Sequence, residues 1–226
     1  ISGGGKLTKK FVETLQSARK SVLIQTPYLV LSHKAKAIFK SLAKRRIPVY
    51  ISTNSLASTD NWMTYSAAFK NRRWNIETAK MNIFEYKPFP EDLKSLMPRY
   101  DTTRQYYKNT STSEPRLLQD LFARKPGPGL NLGQDPFLCI HAKSFVIDNR
   151  LGVIGSYNLD PRSGNLNTEV AIFTTSPQIV SQLQKDILLD IQPRNSWTIS
   201  PRKLPIGARI IDRTFGRILE SLPLDL

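Results

Sequence analysis

Apolar residues recur along the chain at helical spacing, then at strand spacing, then at helical spacing again. Over 8–19, Phe11, Val12, Leu15 and Ala18 fall on one side of a helix. A short apolar run over 21–26 reads as a strand, and Pro27-Tyr28 marks its exit. A basic amphipathic helix over 33–46 leads into a strand over 49–53, a helix over 61–73 and a strand over 82–86. Later in the chain the same signals predict strands over 142–147, 152–156 and 168–175, then a helix over 177–190. This interleaving predicts an α/β fold, a mixed β-sheet flanked by helices on both faces.

One stretch breaks the rhythm. Residues 87–135 are rich in Pro, Ser, Thr and Gly, with one helix predicted over 115–124, and read as an insertion or mobile loop. The rest reads as a single domain over 1–226, with a flexible start over 1–7. No strand precedes Gly3-Gly4-Gly5, so a linker is favoured over a phosphate cradle. The basic amphipathic tail over 208–222 is expected to dock on the core rather than on a membrane. No internal repeat is visible.

Composition narrows the function classes. Hydrophobic residues make up 40% of the 226, enough to bury a core. No apolar run approaches the roughly 18–20 residues of a membrane-spanning helix. The single cysteine, Cys139, excludes an intramolecular disulfide. Against 18 acidic residues stand 33 Lys and Arg, a net charge of +15 that directs the chain toward polyanions. Nucleic acid, an anionic lipid surface and a phosphorylated substrate all satisfy that charge. The opening on Ile1 rather than Met reads as a processing boundary.

The chemistry concentrates in His141-Ala142-Lys143-Ser144-Phe145-Val146-Ile147-Asp148. On a strand, residues two apart share a face, so His141 and Lys143 are expected to point together. Ammonium neutralises phosphoryl oxygens, and imidazole attacks phosphorus or passes a proton near neutral pH. Asp148 is an odd number of positions from His141 and opens the turn Asp148-Asn149-Arg150, which favours a turn or orienting role over direct chemistry. Ser156 and Asn158 again share a face and suit donation to phosphate oxygens. Asn167 and Glu169 repeat the spacing, with Glu169 placed to hold an imidazole in its working tautomer. A single such pair is commonplace; three in one short stretch indicate a site.

His141-x-Lys143-x4-Asp148, then Gly155-Ser156-x-Asn158-x-Asp160-x-Arg162-Ser163 and Asn167-Thr168-Glu169, resembles the HKD motif of the phospholipase D superfamily. The wording is similar to the C-terminal half of bacterial cardiolipin synthases of the C type. Thr26-Pro27-Tyr28 and Thr53-Asn54-Ser55-Leu56-x2-Thr59-Asp60 resemble upstream segments of that half. Where that group carries a histidine soon after the Asp60 equivalent, this chain has Trp62-Met63-Thr64-Tyr65.

The resemblance implies catalysis through a phosphohistidine, with His141, Lys143, Asp148 and Glu169 as the catalytic set. Lys143, Ser156, Asn158 and Asn167 are the implied phosphate ligands. It implies no cofactor, and no cluster of His, Cys and Asp has metal-ligand spacing. It implies an anionic glycerophospholipid substrate met at the periphery of a bacterial membrane. The alternative is a single-motif, metal-independent endonuclease acting on nucleic acid. It also implies two HKD half-sites, and this chain has one. His33, the other histidine, precedes Lys34-Ala35-Lys36 and reads as a helix-start surface residue. The second half-site is then expected from an N-terminal half of a longer enzyme, which the abrupt start favours, or from a homodimer partner. Whether His141 is nucleophile or general acid stays open, with the acid role favoured.

Overall fold

The computed structural model describes residues 5–110 and 135–199. Its centre is a seven-stranded mixed sheet of order β6-β5-β4-β1-β2-β3-β7. The strands are β1 (Val22–Gln25), β2 (Val49–Asn54), β3 (Met81–Tyr86), β4 (Ser144–Ile147), β5 (Leu151–Gly155), β6 (Ala171–Thr174) and β7 (Ser196–Thr198). β1, β2 and β3 run parallel, and each remaining pairing is antiparallel. The parallel strands need crossovers, which the helices α2 (His33–Lys44) and α3 (Trp62–Lys70) help to build, while α1 (Lys6–Ser17) precedes β1. After α3 comes a π-helical turn, Trp74–Thr78.

Alternation along the strands feeds two apolar layers. On one face, Val22, Ile24, Ile51, Phe145 and Val153 pack with Phe11 and Leu15 of α1 and Ile38, Phe39 and Leu42 of α2. On the other, Leu23 and Val146 meet Val180 and Ile187 of the long helix Pro177–Asp190. Helices therefore cover both faces, as the sequence pattern predicts. Local signals set the helix starts. Ser32 caps α2 by accepting from the Ala35 amide at 3.3 Å, and Asn61 caps α3 by accepting from Thr64 at 3.0 Å.

Several elements differ from expectation. Within 87–110 the chain forms α4 (Leu93–Leu96) and α5 (Tyr100–Thr110), not a bare loop. A further short helix, α6 (Pro161–Asn165), follows β5; Asp160 caps it by accepting from Ser163 at 2.8 Å, and Pro161 supplies a preset φ. The long helix Pro177–Asp190 is thus α7. β4 begins at Ser144, so His141 and Lys143 stand in the extended segment before it rather than on the strand. The start over 1–4, the helix expected over 115–124 and the tail over 208–222 lie outside the described residues. Among the described residues no helix is long and apolar enough to cross a membrane.

Candidate active site

The direction of each strand brings the candidate residues to one end of the sheet. The C-terminal ends of β1, β2 and β5 and the N-terminal ends of β4 and β6 all meet there. His141, Lys143, Gly155, Ser156, Asn158, Asn167, Thr168 and Glu169 line one open pocket of about 680 Å³. Six of the seven expected site residues are therefore brought together. Val30 N–H donates to Leu159 O at 2.9 Å, tying the segment after β1 to the one after β5.

Gly155 makes the close approach of β6 possible. A Cβ there would lie 2.2 Å from Val170 O and 2.8 Å from Ala171 Cα, which only glycine avoids. Ser156 N–H donates to Val170 O at 2.9 Å, and Val170 N–H donates to Ser156 Oγ at 3.0 Å. Glu169 is thereby set at the pocket wall. Ser156 Oγ donates to Glu169, and Asn167 Nδ2 donates to it at 3.2 Å. Burial pushes the Glu169 carboxyl up, but hydrogen bonds from Ser156, Ser163 and Asn167, with Lys143 nearby, outweigh that and hold it below the usual range. Lys143 shows the opposite balance. Desolvation lowers its ammonium, and the carboxylates of Asp60, Glu169 and Asp160 offset part of that. Its Nζ donates to the backbone oxygen of His141 at 2.6 Å. The Oδ1 of Asn158 is buried with no hydrogen-bond partner among the described residues.

Two of the expected residues have partners other than the imidazole. Asp148 is not in the pocket: it lies at the far end of β4, beyond Ile147. Its carboxylate accepts from the amides of Arg19 at 2.9 Å, Lys20 at 2.6 Å and Ser21 at 3.1 Å. Burial raises its pKa, yet these backbone bonds more than offset the rise and hold it low. With φ of 57° and 56°, Asp148 and Asn149 form a left-handed turn that suits Asp and Asn. Asp148 thus fastens β4 to the entry to β1, away from the residues that line the pocket. Glu169, in turn, is bonded to Ser156 and Asn167, and the carboxylate beside His141 is Asp60, with Oδ2 3.8 Å from Nδ1.

Sequence reasoning quoted Tyr28, Asn54 and Asp60 within resembling segments but gave them no role. Tyr28 donates its hydroxyl to both Asp60 oxygens at 3.1 Å. Burial, and then that bond, push the Tyr28 hydroxyl up to about 12. His33 stands exposed at the first position of α2, the surface place its sequence context indicates.

Comparison with known proteins places this geometry in a family. An uncharacterised protein of Helicobacter pylori (strain ATCC 700392 / 26695) is 27% identical over 187 residues, 83% of this chain and 30% of its own length. Cardiolipin synthase C of Escherichia coli (strain K12) is 24% identical over 193 residues, 85% of this chain and 34% of its own. The chain thus spans about a third of the length of these curated relatives. Among solved structures, the phospholipase D family member Nuc from Salmonella typhimurium superposes with a TM-score of 0.54 at 12% identity, covering 87% of this chain and 95% of that one. That likeness is one of fold. The family model described as "Cardiolipin synthase, PLD-like domain" matches residues 11–190, and the chain belongs to that phospholipase D-like family.

Proposed function

We propose that this chain supplies one HKD half-site of an enzyme that hydrolyses glycerophospholipids or transfers their phosphatidyl group, in the manner of a cardiolipin synthase. The observation that carries the reading is the convergence of His141, Lys143, Ser156, Asn158, Asn167 and Glu169 on one pocket. In this reading Lys143 neutralises the non-bridging phosphoryl oxygens, Asn158 and Asn167 donate to them through their side-chain nitrogens, and Ser156 does so by turning its hydroxyl away from Glu169. In the first step one imidazole bonds to phosphorus as the bond to the leaving alcohol breaks, and a second imidazole gives that oxygen its proton. In the second step water or an acceptor alcohol yields its proton to that second imidazole, attacks phosphorus and breaks the P–N bond. In-line displacement puts nucleophile and acid on opposite sides of phosphorus, so His141 fills one role, with general acid favoured, and a second half-site the other.

An exposed apolar face beside the pocket supports a protein partner. On β6, an edge strand, Ile172 is 66% exposed and opposes Ile154 of β5; Val170 is 69% and Leu166 72% exposed. Such a cluster marks an interaction surface. From Leu151 to Asp190 the basic residues are Arg162 and Lys185, against Asp160, Glu169, Asp186 and Asp190. In a chain of net charge +15, another basic domain meets least repulsion there. The rest of the basic surface suits the periphery of an anionic membrane.

The test is to incubate the full-length protein with phosphatidylglycerol and analyse the lipids by mass spectrometry. Cardiolipin or phosphatidic acid should form, and His141→Ala should abolish both. Formation of neither product by the native protein removes the reading. The net charge also favours a second reading, a metal-independent endonuclease. Degradation of plasmid DNA in EDTA, lost on His141→Ala, would establish it instead.

A further inference from the structure

Two loops distant in sequence are fastened together beside His141. Asn54, the buried last residue of β2, donates from its side-chain nitrogen to Ile140 O at 2.9 Å and accepts from Ile140 N–H at 2.7 Å. That two-way clamp fixes the residue before His141 against the loop that carries Asp60. The loop is braced from within. Ser58 Oγ donates to Tyr86 O at 2.8 Å, and Ser55 N–H donates to Ser58 Oγ at 2.9 Å. At its far end Tyr28 grips both Asp60 oxygens, leaving Oδ2 at 3.8 Å from His141 Nδ1.

We infer that Asp60 is the carboxylate that positions His141, accepting the Nδ1 proton so that Nε2 is free for the phosphoryl group, and that Tyr28 positions Asp60. The inference rests on the reading that His141 works through Nε2. A carboxylate at Nδ1 selects the tautomer protonated there and stabilises the imidazolium formed in either catalytic role. The 3.8 Å separation is an ion-pair distance between two surface side chains, 65% and 39% exposed. Asp60 also heads the carboxylates that raise Lys143, ahead of Glu169 and Asp160, so it serves both members of the His-x-Lys pair. Cys139, the ionisable neighbour on the same segment, is pushed up by burial and then by Asp60, which keeps the thiol neutral.

The chain has two histidines, so nitrogen-15 NMR of its imidazoles reads His141 with His33 as internal control. Spectra are taken above the ordinary imidazole titration range. In the native protein His141 should carry its proton on Nδ1. Asp60→Ala should shift the tautomer ratio toward Nε2–H by about fivefold or more. Tyr28→Phe should shift it less in the same direction, and Asp60→Glu should restore most of it, with His33 constant throughout. A native His141 protonated on Nε2 overturns the inference, as does an unchanged ratio in folded Asp60→Ala. Should Asp60→Ala fail to fold, Tyr28→Phe decides in the same way. No substrate enters the measurement, so this result and the lipid assay stand or fall separately.

Discussion

Replacing Asp148 by alanine removes the acceptor for the backbone amides of Arg19, Lys20 and Ser21. A hydrogen bond to a charged group contributes about 1.5–3 kcal/mol in a dry setting. This turn is partly open to water, and screening reduces each bond to about 1 kcal/mol, or about 2–3 kcal/mol for the set. At φ of 57° alanine adds about 1 kcal/mol of left-handed strain. Asp148→Ala should therefore lose about 3–4 kcal/mol in urea unfolding at neutral pH. Asp148→Asn keeps the backbone tolerance and one acceptor oxygen, and should lose about 1 kcal/mol. The folded carboxyl is depressed, so its contribution is present above the unfolded value near about 3.9 and disappears as pH falls through the folded one. The gap between native protein and Asp148→Ala should close in that acid range. An Asp148→Ala protein as stable as the native one, yet without turnover, would refute the fastener assignment and return Asp148 to the chemistry.

Three further outcomes are expected. Lys143→Ala should reduce turnover by at least about 10²-fold while the melting curve is unchanged, because its Nζ bonds only to the His141 carbonyl among the protein hydrogen bonds described; near-native turnover contradicts a phosphate role. Gly155→Ala forces β6 away from β5 and should lose about 2–3 kcal/mol of stability, together with activity, since Glu169 rides on the same segment; a native melting curve contradicts the close approach. Burial pushes the Asp190 carboxyl up to about 6 despite a hydrogen bond from Gln25. The folded state then binds that proton more tightly, and stability falls as pH rises from about 4 to about 6. Asp190→Asn should therefore gain about 1–2 kcal/mol above that window and nothing below it, read from urea midpoints at both pH values.

The parallel core was legible because each of its strands is a short apolar run beside a helix with a clear face. Phe11 and Leu15, or Ile38, Phe39 and Leu42, need no partner information to be placed inward. α7 was legible to the residue because Pro177 presets its first turn. α5 was not, since Tyr100-Asp101-Thr102-Thr103-Arg104-Gln105 is mostly polar and is steadied by distant groups, Asp135 on Arg104 and Pro136 O on Tyr100. Three-residue β7 carries too little pattern to stand out. In the site, the turn signal Asp148-Asn149-Arg150 is matched by the left-handed φ of Asp148 and Asn149 after β4, and the pocket residues follow from the motif. The spacing offers Glu169 as the imidazole's support, whereas its hydrogen bonds go to Ser156 and Asn167 and the carboxylate 3.8 Å from Nδ1 is that of Asp60. Nothing local in the sequence says that the loop after β2 folds over the segment before β4, because that contact depends on the Asn54 clamp and on strand order.

Leu138 N–H donates to Pro88 O at 3.0 Å, so the long excursion between β3 and β4 leaves the core and re-enters it at adjoining points. Its departure is secured separately, by Lys87 N–H on Asn195 O at 2.9 Å, and its return by Asn54 on Ile140. A segment whose two mouths touch is a cassette: exchanging it for a longer or shorter one leaves the span to be bridged unchanged.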